Sequence, residues 1–408
     1  MNKRKIINDP VYGFITIPFD LVFDLIEHPI FQRLRRIKQL GLTHYVYPGA
    51  LHTRFHHALG AMHLMQQAIK VLRQKDVEIT EAEEQAAIIA ILLHDVGHGP
   101  FSHTLEHTII NVHHENLTVF LMEILNEEFE GQLDLAIKIF KKEYHKKFLY
   151  QLVSSQLDMD RMDYLNRDSF FTGVAEGVIG YDRIIKMLSV VDNELAVEEK
   201  GIYSIEKFLI ARRIMYWQVY LHRTVLCAEQ MLIRALTRAK FLSKKGQKVF
   251  ASDSLSYFVQ QSILPKDLIQ QKKEILYHYT LLDDVDIMSS LKHWCSHEDK
   301  VLAFISYGLV NRRLFRIEIQ EKPFKSDKIN RLRHKVRQKV GNDISDKDLE
   351  YLVFTGSESN RTYSKGKQEI KVKFKNGSVN PISSVSDFEI SPKAVTKYYI
   401  CYPKFLNV

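Results

Sequence analysis

Cysteine is scarce in this 408-residue chain: there are three, at positions 227, 295 and 401. Far apart along the sequence, Cys227, Cys295 and Cys401 make neither a CxxC pair nor a disulfide framework, which excludes an oxidised secreted scaffold and points to a reducing cytoplasm. Long apolar runs are missing too. The longest, Ala86 to Leu93, is far short of the ~20 residues of a membrane-spanning helix, so no membrane partner is expected. The basic opening Met1-Asn-Lys-Arg-Lys5 is not followed by the apolar core and cleavage site of a signal peptide. No internal repeat or low-complexity tract is visible, which excludes a solenoid. The net charge of +8 invites a nucleic-acid reading, but the excess is local. Between Asn311 and Gly377 there are 18 Lys/Arg against 9 Asp/Glu, so the rest of the chain is close to neutral.

What is present is histidine in an unusual pattern. Ile91-Leu-Leu-His-Asp-Val-Gly-His-Gly-Pro-Phe-Ser-His103 begins as an apolar helical run, Ala86 to Leu93, that delivers His94-Asp95 at its end. Two glycines and a proline then break the helix, and His98 and His103 follow. A His-rich helix end is the plain explanation. Neutral imidazole and carboxylate are ordinary ligands for first-row transition metals, however, and a metal site accounts for the pattern better. Upstream, Arg54-Phe-His-His57 opens a helix, with Arg54 and His57 on one face and Gly60 continuing it for close approach. A ligand with an anion clamp fits that face, and periodicity leaves open which of His56 and His57 points inward. Downstream, Asp160, Tyr164 and Asp168 fall at i, i+4 and i+8 beside Arg161. Leu157, Met159, Met162 and Leu165 occupy the other faces, so the helix should be buried with its polar stripe facing something charged. Arg212, Tyr216, Tyr220 and Arg223 are spaced 4, 4 and 3 on a further helix. Rings and guanidinium groups on one stripe suit a nucleotide.

The expected fold is mainly α, with a small C-terminal α+β lobe. Lys5 to Gly13 reads as a short strand and turn, with Phe14 to Thr16 extended after it. A basic helix is expected over Ile30 to Leu40, ending at Gly41 and carrying Arg33, Arg35, Arg36 and Lys38, and another over Thr104 to Val119. From Leu314 the pattern changes. Phe315–Ile319, Tyr351–Phe354, Glu369–Phe374 and Tyr398–Tyr402 look like strands, with a basic helix over Ser326 to Val340 between them. The division expected is a core over 1–310 and a lobe over 311–408.

Arg54-Phe-x-His57, His94-Asp95 and Asp160 together resemble the four-station pattern of the HD phosphohydrolase superfamily, whose helical fold the core is expected to share. Asn8-Asp-Pro, Phe31-Gln-Arg-Leu-Arg35, Ile37-Lys-Gln-Leu-Gly41, Tyr45-Val-Tyr-Pro-Gly49, His94 to His103 and Asp163-Tyr164…Arg167-Asp168 narrow the resemblance to the dNTP triphosphohydrolases. They look like the catalytic core of the SAM-and-HD-domain dNTPase and its bacterial relatives. The likeness runs from Lys5 to Arg223 and thins beyond Ser243. With the first motif at Lys5, no SAM domain is expected before the core.

The resemblance implies one divalent metal (Fe, Mn, Zn, Ni or Mg) on His57, His94, Asp95 and Asp160. It implies proton transfer by His103 or His114, oriented by His98 and Glu106. Arg54, Arg161, Tyr164 and Arg212 would bind the triphosphate, while Gln39, Leu40, Asp168 and Tyr220 would frame the deoxyribose. The implied products are a deoxynucleoside and inorganic triphosphate. A regulatory dNTP or GTP between subunits would meet Lys5, Ile6, Asn8, Glu27, Gln32 and Arg35 in a homodimer or tetramer. Glu106 stands where relatives carry Asp, Arg161 replaces Lys, and Leu221 replaces a Gln. His56 is an added histidine, expected to be exposed. The alternatives are an HD phosphohydrolase for another nucleotide (a monophosphate, cyclic nucleotide or alarmone) and a nucleic-acid-binding protein on an HD scaffold. Nucleic-acid binding through the basic lobe would be a secondary activity.

Overall fold

The computed structural model describes residues 5–261, 263–264, 266–341, 344–360, 369–387 and 394–406. The protein is mainly α. A hairpin of β1 (Ile6–Asp9) and β2 (Gly13–Thr16) precedes α1 (Asp20–Glu27). At the centre lies α2 (Arg54–Arg73), whose apolar side chains from Phe55 to Ile69 are at most 3% exposed. A helix with 13 of its 20 residues buried needs neighbours on several sides, and α2 packs on α3 (Glu81–Leu93) and α6 (Met159–Thr172). Between these two come α4 (Ser102–Ile109) and α5 (His114–Glu128). The hairpin of β3 (Leu188–Val191) and β4 (Glu194–Glu198), then α7 (Ile202–Met215) and α8 (Arg223–Lys244), complete the helical body around the site.

Local chemistry sets the ends that matter. Thr80 and Glu83 start α3 with a reciprocal cap, each side chain accepting the other's backbone N–H at 3.2 and 2.8 Å. At the start of α2 an imidazole takes the place of the carboxylate: the Thr53 N–H donates to His56 Nδ1 at 3.2 Å. His56 is therefore half-buried as a capping group rather than exposed. Gly60 lets α2 touch α6, since a Cβ there would lie 1.9 Å from Asp163 Oδ1.

Three expected helices are divided differently. Residues 30–40 form a short helix (Pro29–Gln32) and a 3-10 turn (Arg33–Arg36), not one helix. Arg33 is fully buried, donating to the Val96 and Leu282 carbonyls at 2.7 and 3.2 Å, and Arg36 pairs with Asp283. Tying loops together requires these guanidinium groups to leave a common helix face. The 104–119 stretch breaks between α4 and α5. After α7, Tyr216–Tyr220 widens into a π-turn and Arg223 starts the next helix, so Arg223 does not continue the Arg212 stripe.

The C-terminal part is α+β. β5 (Arg316–Gln320), α9 (Ser326–Val340) and a further helix, α10 (Asp346–Leu352), precede β6 (Phe354–Asn360). The strand expected at Tyr351–Phe354 is thus largely the end of a helix, started by Ser345 and Asp348 capping each other. β7 (Lys371–Lys373), β8 (Val379–Pro381) and β9 (Val395–Tyr402) follow. Antiparallel β5-β9-β6 packs through β5 on α8. β7 instead pairs in parallel with β4, Val372 opposite Val197, so this segment completes a sheet begun some 170 residues earlier. All three cysteines are free thiols. No helix is long and apolar enough to cross a membrane among the described residues.

Candidate active site and metal centre

The end of α3, the start of α2 and the first turn of α6 converge. His57 Nε2 lies 3.2 Å from His94 Nε2 and 3.2 Å from Asp160 Oδ1; His94 Nε2 lies 3.5 Å from that same oxygen. Asp95 joins at 3.3 Å from His94 and 3.8 Å from His57. Donors held at ~2.1 Å around one divalent ion lie about 3.0 Å apart at right angles and about 3.4 Å apart at tetrahedral ones. His57, His94 and Asp160 match that spacing, and Asp95 flanks them, one oxygen toward His94 and the other paired with Arg54. His57 Nδ1 donates to Asp163 at 2.7 Å and His94 Nδ1 to the Ile91 carbonyl, which turns both Nε2 lone pairs toward the cluster. Burial would lower both imidazoles. Asp160 and Asp163 nonetheless push His57 up to about 10, and Asp95 and Asp160 raise His94. Asp95 and Asp160 are held below the usual carboxylate range despite burial, Asp95 by His94, Arg54 and His98 and Asp160 by His57 and His94. A cluster this avid for positive charge is chemically suited to a metal cation.

The turn that presents His94 and Asp95 is pinned from three sides. Thr118 accepts the Gly97 N–H at 3.1 Å and donates to the His94 carbonyl at 3.0 Å. Tyr279 donates to the Gly97 carbonyl and Arg33 to that of Val96. Any side chain at Gly97 would run into the His114 carbonyl, 2.2 Å from an added Cβ.

Above the cluster opens a cavity of about 640 Å³. Arg54, Gln39, Leu40, Arg161, Tyr164, Asp168, Tyr220, His98 and His114 all line it. Asp168 accepts from His52 at 2.7 Å and from the Tyr220 hydroxyl at 2.8 Å, while Gln39 Oε1 is buried without a partner among the described residues. Arg54 pairs with Asp95, and Arg161 lies 4.0 Å from Asp160. His98 contacts Asp95 at 3.3 Å and stacks on His114 with ring centres 3.9 Å apart; burial and the Arg54 charge push it well below the usual imidazole range. Glu106 reaches His114 Nδ1 at 3.0 Å and also accepts its N–H. The longer side chain thus still spans to its histidine. Arg212 lies on α7 near Tyr164, whose charge balance it influences, and is not in the cavity wall. The His103 side chain lies outside the described residues.

The proposed regulatory residues sit elsewhere. Lys5, Ile6 and Asn8 are exposed at the first hairpin, and Glu27 is exposed at the end of α1. Gln32 accepts from Arg35 Nε at 2.7 Å, with the Arg35 guanidinium 3.6 Å above the Phe55 ring.

Asp163, Arg167, Asp9 and His52 carry no role in the sequence pattern, yet they build the support of the site. Arg167, wholly buried, grips Asp163 with two bonds of 3.0 Å and reaches Asp9 at 2.7 Å, linking β1 to the His57 partner. The spacing of Asp163 from Asp160 (i+3) and of Arg167 from Asp163 (i+4) was the available signal. A roomier crevice of about 1040 Å³, lined by Arg238, His293 and Trp294 among others, contains none of these groups.

Residues 54–168 match the HD domain and residues 179–256 the HD associated region. A phosphohydrolase from Bacteroides thetaiotaomicron of known crystal structure superimposes with a TM-score of 0.94 at 50% identity, over 98% of this chain and 99% of that one. The uncharacterized protein YwfO of Bacillus subtilis is 33% identical over 322 residues, 77% of this chain and 72% of its own length. The Dictyostelium discoideum deoxynucleoside triphosphate triphosphohydrolase SAMHD1 homolog is 30% identical over 325 residues, 72% of this chain. This chain spans 62% of that relative's length. A helical scaffold that gathers two histidines and two aspartates under a cavity defines a metal-dependent hydrolase. The chain belongs to the HD-domain phosphohydrolase family, and within it resembles the SAMHD1 catalytic core.

Proposed function

We propose that this protein is a dNTP triphosphohydrolase, cleaving a deoxynucleoside triphosphate to deoxynucleoside and inorganic triphosphate. The observation that carries the reading is the convergence of His57, His94, Asp95 and Asp160 beneath a cavity whose wall joins basic residues to the Asp168–Tyr220 pair. A divalent ion on those four residues (Fe, Mn, Zn, Ni or Mg) would supply Lewis-acid polarisation of the α-phosphate and a more acidic water. Arg54, Arg161, Tyr164 and, from behind the wall, Arg212 hold the triphosphate. Asp168 and the unpartnered Gln39 Oε1 read the 3′-hydroxyl, with Leu40 against the sugar and Tyr220 crowding a 2′-hydroxyl. Water adds to the α-phosphorus as the bond to the 5′ oxygen breaks, and that oxygen takes its proton from His114 Nε2 or from His103. His98 and Glu106 position the donor. An exposed nucleotide site at Lys5, Ile6, Asn8, Glu27, Gln32 and Arg35, completed by a second subunit, fits activation by a dNTP or GTP in a dimer or tetramer.

The assay is incubation with each dNTP followed by chromatography of products, alongside metal analysis. Free triphosphate is expected. His94→Ala should lose metal and activity together, whereas His114→Ala should keep its metal and lose turnover by about 10²–10⁴-fold. Release of orthophosphate or pyrophosphate would replace this reading with another nucleotide hydrolase. Unchanged mass and rate on adding dGTP or GTP would remove the regulatory site.

A further inference from the structure

One wall of the catalytic cavity is not used by the reaction just described. Leu226, Glu229, Gln230 and Ile233 of α8 line it at i, i+3, i+4 and i+7, a single helical stripe that starts just past Tyr220. Glu358, from β6 of the C-terminal part, lines the same cavity, close enough for its charge to act on Glu229. Two carboxyl groups in one cavity wall are costly. Among the described residues neither has an ion-pair partner, and Glu229 lies close enough to the Thr104 hydroxyl to feel it. Nothing in the metal cluster, the phosphate-binding set or the sugar set requires them.

Resting on the nucleotide reading above, we propose that Glu229 and Glu358 read the base, selecting deoxynucleotides whose base carries an exocyclic amino group. The stripe follows Tyr220 along the chain and lines the same cavity as the Asp168–Tyr220 sugar set, and Leu226 and Ile233 provide apolar surface for the ring of a base. Burial pushes Glu229 up to about 8, with Glu358 adding to the effect against the Thr104 hydroxyl, and burial also raises Glu358. At neutral pH the pair therefore offers one acidic O–H and several acceptor oxygens, which need at least two N–H groups opposite. Guanine, adenine and cytosine each supply two or more through an amino group. Thymine supplies one N–H flanked by carbonyl oxygens, so a carboxyl oxygen stays buried and unpaired against it.

The test is kcat/KM for the four dNTPs with the metal-loaded wild-type enzyme and with Glu229→Gln, Glu229→Leu and Glu358→Gln. The wild type is expected to use dTTP about tenfold less well than the other three. Glu229→Leu and Glu358→Gln should flatten that ratio, while Glu229→Gln, which keeps a donor and an acceptor, should retain it. Equal use of dTTP by the wild type, or variants that slow all four substrates alike, would overturn the proposal. Calorimetric titration of the four deoxynucleoside monophosphates reads the same preference without turnover. If no dNTP is hydrolysed, a thymine-poor affinity ranking still supports the pair and only the triphosphohydrolase reading falls; equal affinities overturn the pair.

Discussion

His94-Asp95 and Arg54-x-x-His57 were legible residue by residue, because they are unusual in type and spacing, whereas Asp160 joined them only through the resemblance to the HD pattern. Their supports were not legible. Asp163 and Arg167 at i and i+4 read like a solvated salt bridge, and burial, which the sequence does not display, makes them otherwise. A carboxylate on the far nitrogen of a metal-ligating imidazole fixes its tautomer and raises its basicity. Asp163→Asn should therefore keep all four donors yet weaken metal affinity by about 10–100-fold, readable by competition with a chromophoric chelator. Unaltered affinity would reduce Asp163 to a packing residue. Glu229 carries a pH signature of its own. The folded protein keeps its proton up to about 8, whereas an unfolded chain releases it near 4.5. Its stabilising contribution is thus complete below pH 4.5 and lost as pH rises through 8. Melting temperatures of wild type relative to Glu229→Gln should fall between pH 5 and 9, and parallel curves would contradict the assignment.

Individual helices show where periodicity is sufficient. The α6 pattern names its own buried faces, and the Gly60 reading on α2 follows from the same logic, although periodicity left His56 and His57 undecided. The basic run at Arg33 to Lys38 misleads because four cations at helical spacing normally mean a solvated face. Here Arg33 turns inward to satisfy loop carbonyls, and the helix ends to allow it. Those bonds couple loops far apart in sequence, which no local pattern encodes. Close approach of α2 to α6 is the most sensitive joint. Gly60→Ala puts a methyl 1.9 Å from Asp163 Oδ1 and 2.2 Å from the Arg167 guanidinium, both fixed by bonds on their other sides. A loss of about 1–3 kcal/mol is expected, with reduced metal content, seen by denaturant melts and elemental analysis. A variant as stable and as metal-rich as the wild type would show that the helices can part freely.

Across the whole molecule, the expected division at 310 meets two seams. β7 extends the sheet that β3 and β4 begin, and β5 lies on α8, the helix that carries Leu226, Glu229 and Ile233 into the cavity. A fragment ending at residue 310 would expose the inner face of α8 and an unpaired edge at β4. It is expected to aggregate or to melt well below the full chain in circular dichroism; a soluble fragment with an unchanged melting temperature would make the C-terminal part an independent domain. The amino-acid sequence by itself determined the helical class and the His-Asp core of the site, which rest on residue chemistry and short-range spacing, while ordered motifs shared with a known family added Asp160 and the polar residues of the cavity. Tertiary structure alone decided that Asp9, Arg167 and Asp163 stand behind His57, that Arg33 braces the His-Asp turn, and that Glu358 joins Glu229 in the cavity wall. Each of those depends on side chains distant in sequence sharing one buried volume, where removal from water makes every charge need a partner.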